Sequence, residues 1–322
     1  MIRKILLIVE TLILLVVVAV LGTASIICCG PSPAARDIFV NTVMETSAAK
    51  FAAYIFFTDS EIKEIRAENS VKVPDTVTDI SSVSINTAVK NDVSADAIEI
   101  KDVSGSTFSG KMMIVHDPSR VSIYTIDSFN TEGHGKLLED MIDETGSVAG
   151  INAGGFYDPD GKGHGGMPLG PVIKNGALVS SYESDYRTLI GFSADHKLMV
   201  GAMSAQDAIS AGMVDGICFG PELVVNGERI PISGSGGGLN PRTAIGQTAD
   251  GSILLLVIDG RQPGSLGASI KDLEDVMISY GAVNAANLDG GSSSVMYYNG
   301  EMLNHSASLV GIRPIPDAIL VK

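Results

Sequence analysis

The chain has 322 residues, 45% of them hydrophobic and 18% charged, which supplies a sizeable core and excludes a globally disordered polypeptide. A formal charge of −15 excludes binding along a nucleic-acid backbone, which needs a basic face, but leaves room for a small anion held by a few local arginines. Glycine is abundant at 36 residues and tryptophan is absent, a balance that puts glycines into tight turns and site loops.

From Ile5 to Ile27 the sequence is an almost unbroken run of Leu, Ile, Val and Ala with Glu10 as the one charge, long enough to cross a hydrocarbon core as a helix. Arg3 and Lys4 precede it. The positive-inside rule therefore expects residues 1–4 as a cytoplasmic stub, residues 5–27 as a single-pass anchor in the cell membrane, and the rest outside. A cleaved leader is disfavoured because Ser25-Ile26-Ile27-Cys28 lacks small residues at a cleavage site. Pro31 and Pro33 break the helix. Residues 34–57 then read as a loosely amphipathic helix suited to a membrane surface, to self-association or to packing on its own domain. Residues 58–104, rich in Ser, Thr, Asp and Val, read as a linker, so 28–104 is expected to be a juxtamembrane helix and linker.

Beyond residue 105 the texture changes. Lys111–His116 and Val121–Tyr124 read as strands about a turn at Asp117–Arg120. Asn175-Gly176, Asn226-Gly227 and Asn299-Gly300 each divide apolar runs, and Asp250-Gly251 separates Thr243–Ile245 from Ile253–Ile258. Such pairs favour hairpins, because the type I′ turn needs positive φ at both central positions. The segments Gly170–Gly176 and Gly220–Gly227 echo each other as hairpins. Helices are expected at 135–144, after Ser204, and at 270–280, where Ser269 and Asp272 form a start signal and Gly281 a stop. The fold class is α+β: a mixed or antiparallel sheet domain over 105–322, rich in hairpins, with a few helices, behind a transmembrane helix and juxtamembrane segment.

Three cysteines make neither a disulfide framework nor a zinc pattern, and the five histidines show no metal spacing, so no metal or cofactor is expected. Cys218 reads as a small buried hydrophobe and loop His164 as the one histidine with the surroundings of a site. Chemistry concentrates in four polar, glycine-dense segments. Asn152-Ala153-Gly154-Gly155-Phe156 is either a ligand loop or a turn braced by Asn152. Arg242, in Pro241-Arg242-Thr243-Ala244-Ile245-Gly246, heads a buried strand and needs an anionic partner. Asp259 and Arg261 lie two apart in an extended stretch, as an ion pair or as base and anion clamp. Asn287-Leu288-Asp289-Gly290-Gly291-Ser292-Ser293-Ser294 combines one carboxylate, two glycines and three hydroxyls.

In this order the four segments resemble the phosphodiester glycosidase family over about residues 105–322, with Ser292 where that family usually has a third glycine. The resemblance implies hydrolysis between the anomeric carbon of a sugar, α-N-acetylglucosamine for preference, and a phosphodiester; the expected orientation of the anchor points to cell-envelope glycopolymers as the substrate class. In that reading Asp289 and Asp259 are the catalytic pair, with Asp289 favoured as base or nucleophile. Arg242 and Arg261 grip phosphate. Thr243, Asn287, Gly290, Gly291, Ser292 and Ser293 line the substrate, and Asn152 orients a sugar hydroxyl or N-acetyl group. A non-catalytic glycan-binding or scaffold protein, or a transferase of envelope polysaccharide synthesis, would use the same residues.

Overall fold

The computed structural model describes residues 2–46, 49–72, 76–83, 97–161, 163–308 and 311–322. Its sheets are antiparallel throughout. The largest has seven strands, in the spatial order 98–104, 109–115, 253–258, 242–248, 282–288, 222–225 and 228–229. A second sheet runs 301–302, 296–298, 149–152, 317–321 and 121–125, and a third runs 177–182, 170–174, 213–219, 188–193 and 198–202.

The period of two in the central strands decides how these sheets pack. In Ile253–Ile258 every residue is buried, yet the two faces have different neighbours. Ile253, Leu255 and Val257 enter a core that all three sheets share, with Ile151, Ile217, Ile245 and Ile319. Leu254, Leu256 and Ile258 face the opposite way, onto a helix. The helices in chain order are α1 Ile2–Cys29, α2 Pro33–Met44, α3 Phe51–Tyr54, α4 Asp59–Glu68, α5 Leu138–Thr145, α6 Ala205–Ser210 and α7 Ile270–Ser279. α7 covers the large sheet through Ile270, Leu273 and Met277, α5 the second through Leu138, Met141 and Ile142, and α6 the third through Ala205 and Ala208.

The turn chemistry forms as expected. Asn175-Gly176, Asn226-Gly227 and Asn299-Gly300 all have positive φ at both residues and close hairpins. Asp250-Gly251 joins two strands paired from Arg242↔Ile258 to Gln247↔Ile253. The echoing hairpins at 170 and 220 fall in two different sheets. α7 carries the expected capping box between Ser269 and Asp272. Ser269→Ala is expected to cost about 1 kcal/mol and to lower the melting temperature by about 2–4 °C, measured by thermal unfolding.

The stretch before residue 105 is more structured than its composition indicated. α1 presents its apolar side chains outward, and its span from Arg3 to Cys29 is long and apolar enough to cross a membrane. The helix expected over 34–57 is two helices: Ser32 caps α2, with Pro33 in its first turn, and α3 follows after a break. α4, inside the expected linker, was announced by Thr58 and Glu61, which form a full capping box. Strand 98–104 pairs along its whole length with 109–115, so the sheet begins seven residues before the compositional change. Thr78 also bonds to Val200 and Asn284. The Ser84–Ile85 part of the expected linker lies outside the described residues.

Candidate active site

The loops after strands 149–152, 213–219 and 282–288 converge on a cavity of about 680 Å³, within the range of small-molecule sites. Its lining includes Glu45, Phe156, Asp158, Tyr186, Phe219, Asn240, Arg242, Arg261, Asn287, Asp289, Gly290, Gly291, Ser292, Ser293 and Arg313. Three of the four glycine-dense segments are bonded together beneath it. Asn152 is 1% exposed; its Nδ2 donates to the Asp289 carbonyl at 2.6 Å, and its Oδ1 accepts from Thr243 Oγ1 and the Val295 N–H. The Asp289 N–H donates to the Ala153 carbonyl at 2.9 Å. Asn152 thus braces the Asp289 loop, the structural alternative for this residue, and Thr243 is a fully buried partner in that brace.

Asp289 stands at the mouth of this scaffold. Burial pushes its carboxyl up to about 6, against the lowering pull of Ser293, Arg313 and the Gly290 N–H. The pocket's other carboxylates are tied to arginines: Asp158 to Arg313 at 2.8 Å, and Glu45 to Arg242 at 2.9 Å. Among the described residues Asp289 has no ion pair, so it is the pocket carboxylate poised to exchange a proton near neutrality. The glycines and serines after it form a short 3-10 turn whose donors are largely engaged within the scaffold: Gly290 N–H on Asp289, Gly291 N–H on Pro241 and Ser293 N–H on Gly290. That loop aims the carboxylate more than it cradles an anion. Asn287 binds the Gly220 carbonyl through Nδ2, and its buried Oδ1 has no partner among the described residues.

Asp259 lies elsewhere. It is 7% exposed, absent from the pocket lining, and accepts from the His305 N–H at 2.8 Å and from Asn304 Nδ2. Nor does it orient Arg261. The chain turns at Arg261, where φ is 58°, and the guanidinium instead donates to Asn240 Oδ1 at 2.9 Å. The alternation expected for an extended stretch fails at that positive φ. Burial, and then the neighbouring charge of Arg242, lower the Arg261 pKa, so two guanidiniums share one region of the pocket. Such a pair is relieved by an anion.

The chain itself supplies one. From the end of α2, Glu45 Oε2 takes Arg242 and Asn240 Nδ2, and Oε1 takes the Gly238 N–H. Glu45→Gln is expected to tighten inorganic phosphate about three- to tenfold by removing the competing charge, read by calorimetry. An unchanged affinity would mean that Arg242 reaches phosphate with Glu45 in place.

Glu45, Asp158, Tyr186 and Arg313 were not legible as site residues. Glu45, Tyr186 and Arg313 are lone residues in unremarkable sequence, whereas Asp158 closes the first glycine-dense stretch, Ile151–Asp158, without being singled out there. His164 packs against His134 in a tilted ring pair, centroids 4.6 Å apart, and does not line the cavity. Cys218 is a buried hydrophobe, as expected, and burial pushes its thiol up to about 12.

The cavity sets three arginines beside a carboxylate of raised pKa that, among the described residues, has no ion pair, where loops of three sheets meet. The phosphodiester glycosidase family model matches residues 145–322. A prophage-derived protein of Bacillus subtilis (strain 168), YomE, is 31% identical over 191 residues, covering 56% of this chain and 29% of its own length. The mouse N-acetylglucosamine-1-phosphodiester alpha-N-acetylglucosaminidase is 23% identical over 230 residues, 64% of this chain and 43% of that enzyme. The catalytic domain of the zebrafish enzyme of that name, auto-inhibited by its pro-peptide, shares the fold: TM-score 0.58 at 23% identity, covering 74% of this chain and 86% of that one. The chain belongs to the phosphodiester glycosidase family. It spans less than half the length of these two sequence relatives.

Proposed function

We propose that this chain is a membrane-anchored, extracytoplasmic hydrolase. It cleaves the bond between the anomeric carbon of a sugar, α-N-acetylglucosamine by preference, and a phosphodiester of a cell-envelope glycopolymer. The observation that carries the reading is the pairing, in one cavity, of Asp289 with the Arg242–Arg261 region. An ordinary glycosidase must protonate an alkoxide leaving group. Here the leaving group is a phosphomonoester with a second pKa near ~6, which departs without full protonation once its charge is held. Arginines serve that need through bidentate contacts.

The C1–O bond breaks, and its oxygen leaves with the phosphate on the arginines. Water adds to C1, directly or after a glycosyl-Asp289 intermediate, and its proton passes by way of Asp289 to solvent. Asp158, held by Arg313, is a further carboxylate of the cavity and balances positive charge developing on the sugar. The outward-facing apolar α1, with Arg3 and Lys4 at its start, supports the anchored orientation.

The test is release of N-acetylglucosamine from a synthetic N-acetylglucosamine-α-1-phosphodiester by the full chain. α2 contributes the Glu45 contact to the pocket, so the residues before 105 belong in the assay. Release by wild type supports the reading, and its absence across a panel of sugar-1-phosphodiesters refutes it.

A further inference from the structure

The cavity has one aromatic wall that the phosphate chemistry leaves unused. Three aromatic rings line it, and two are already covered. Phe156 lies beneath the Arg313 guanidinium, 4.8 Å from ring centroid to charge. Phe219 is 8% exposed and part of the common core. Tyr186 is 39% exposed. It sits in the loop between strands 177–182 and 188–193, stacked on Phe219 with centroids 4.3 Å apart and planes at 28°.

This stack is built rigidly. A Cβ at Gly155 would lie 2.9 Å from the Phe219 ring, so the first glycine-dense segment presses directly on the supporting ring. The Tyr186 carbonyl accepts from Cys218 Sγ, and its N–H donates to Ser184 Oγ. One face of Tyr186 is therefore backed by Phe219 and the other is open.

The chemistry of an aromatic face selects its occupant. The π-face carries negative charge density, which repels an anion and welcomes polarised C–H groups. Phosphate is thus directed to the arginines, and the C–H face of a pyranose to the ring. We propose that Tyr186, backed by Phe219, is the stacking platform for the sugar ring and sets the sugar specificity of the pocket. This rests on the sugar-phosphodiester reading above and assigns the two halves of that substrate to different walls. Burial and the nearby Asp289 charge push the Tyr186 phenol up to about 12, so it stays a neutral ring across the working pH range.

The experiment compares full chains carrying Tyr186→Phe, Tyr186→Leu and Tyr186→Ala with wild type. It measures KM for the synthetic phosphodiester and inhibition constants for N-acetylglucosamine and for inorganic phosphate. Tyr186→Ala should raise KM and the sugar's inhibition constant about tenfold. Tyr186→Leu should rescue only part of that loss, Tyr186→Phe should stay within about twofold of wild type, and phosphate inhibition should not move. Equal loss of sugar and phosphate affinity, or unchanged sugar constants in Tyr186→Ala, would overturn the platform. Should wild type release no sugar from any member of that panel of sugar-1-phosphodiesters, the hydrolase reading fails by itself. Calorimetry with N-acetylglucosamine then decides the platform: binding lost in Tyr186→Ala upholds it, and binding retained there or absent from wild type overturns it.

Discussion

Asp289→Asn is expected to reduce sugar release by about 10³- to 10⁴-fold while leaving the fold intact. The substitution keeps the shape of the side chain. An amide oxygen still accepts from the Gly290 N–H, and the loop remains held by Asn152 and the Ala153 carbonyl. What disappears is the group that takes a proton from water or attacks C1. The wild-type pH profile should report the same group. With its carboxyl raised to about 6, Asp289 is half ionised there, so a base or nucleophile gives a kcat/KM that climbs through about pH 6 and levels above it. A limb that falls through pH 6 would make Asp289 the acid instead. Full activity in Asp289→Asn with unchanged circular dichroism would remove this residue from the mechanism.

Asp317→Asn is expected to stabilise the protein at neutral pH. Asp317 is 1% exposed; it accepts from the Gly154 N–H through Oδ1, and its buried Oδ2 has no partner among the described residues. Burial pushes its carboxyl up to about 7, and nearby Asp289 adds to the rise. The folded state therefore holds a proton that the unfolded chain releases near its ordinary value of about 3.9. Stability falls as pH rises through that window, and the full cost is present above pH 7. Removing the charge should return up to about 4 kcal/mol at pH 8 and almost nothing at pH 4, since about three pKa units are involved. Denaturant melts at pH 4, 6 and 8 measure this. A constant difference between the two proteins at all three values would show that Asp317 does not titrate in that window. Asp317 acts on the site through the backbone: it holds Gly154 beside Ala153, whose carbonyl accepts from Asp289 N–H. Stability is given up for the position of the loop.

Much of the fold was legible because its signals are local. Asn-Gly pairs require positive φ at both residues, Ser269 with Asp272 closes its own capping box, and a continuous apolar run such as Ile253–Ile258 is buried on both faces. Asp289 and the arginines at 242 and 261, each within a short motif, all reach the cavity lining. α4 was missed although its capping box lies in plain sequence, because the surrounding composition suggested a linker.

What tertiary structure decided depends on contacts between distant residues. Asn152 became a brace and not a ligand because Asp289, Thr243 and Val295 meet around it. Asp259 left the pocket because the positive φ at Arg261 ended the extended stretch, and the backbone at Asn304–His305 claimed its carboxylate. Arg313, Tyr186 and Glu45 join the cavity across separations of up to 268 residues, counted from Glu45 to Arg313, with no motif to announce them, and Asp158 joins from the end of the first glycine-dense stretch. The sequence by itself determined which residues could turn, cap, bury or carry charge, since those properties are set within a few neighbours. Which carboxylate stayed unpaired was decided only by folding, because pairing and desolvation depend on what the rest of the chain brings alongside.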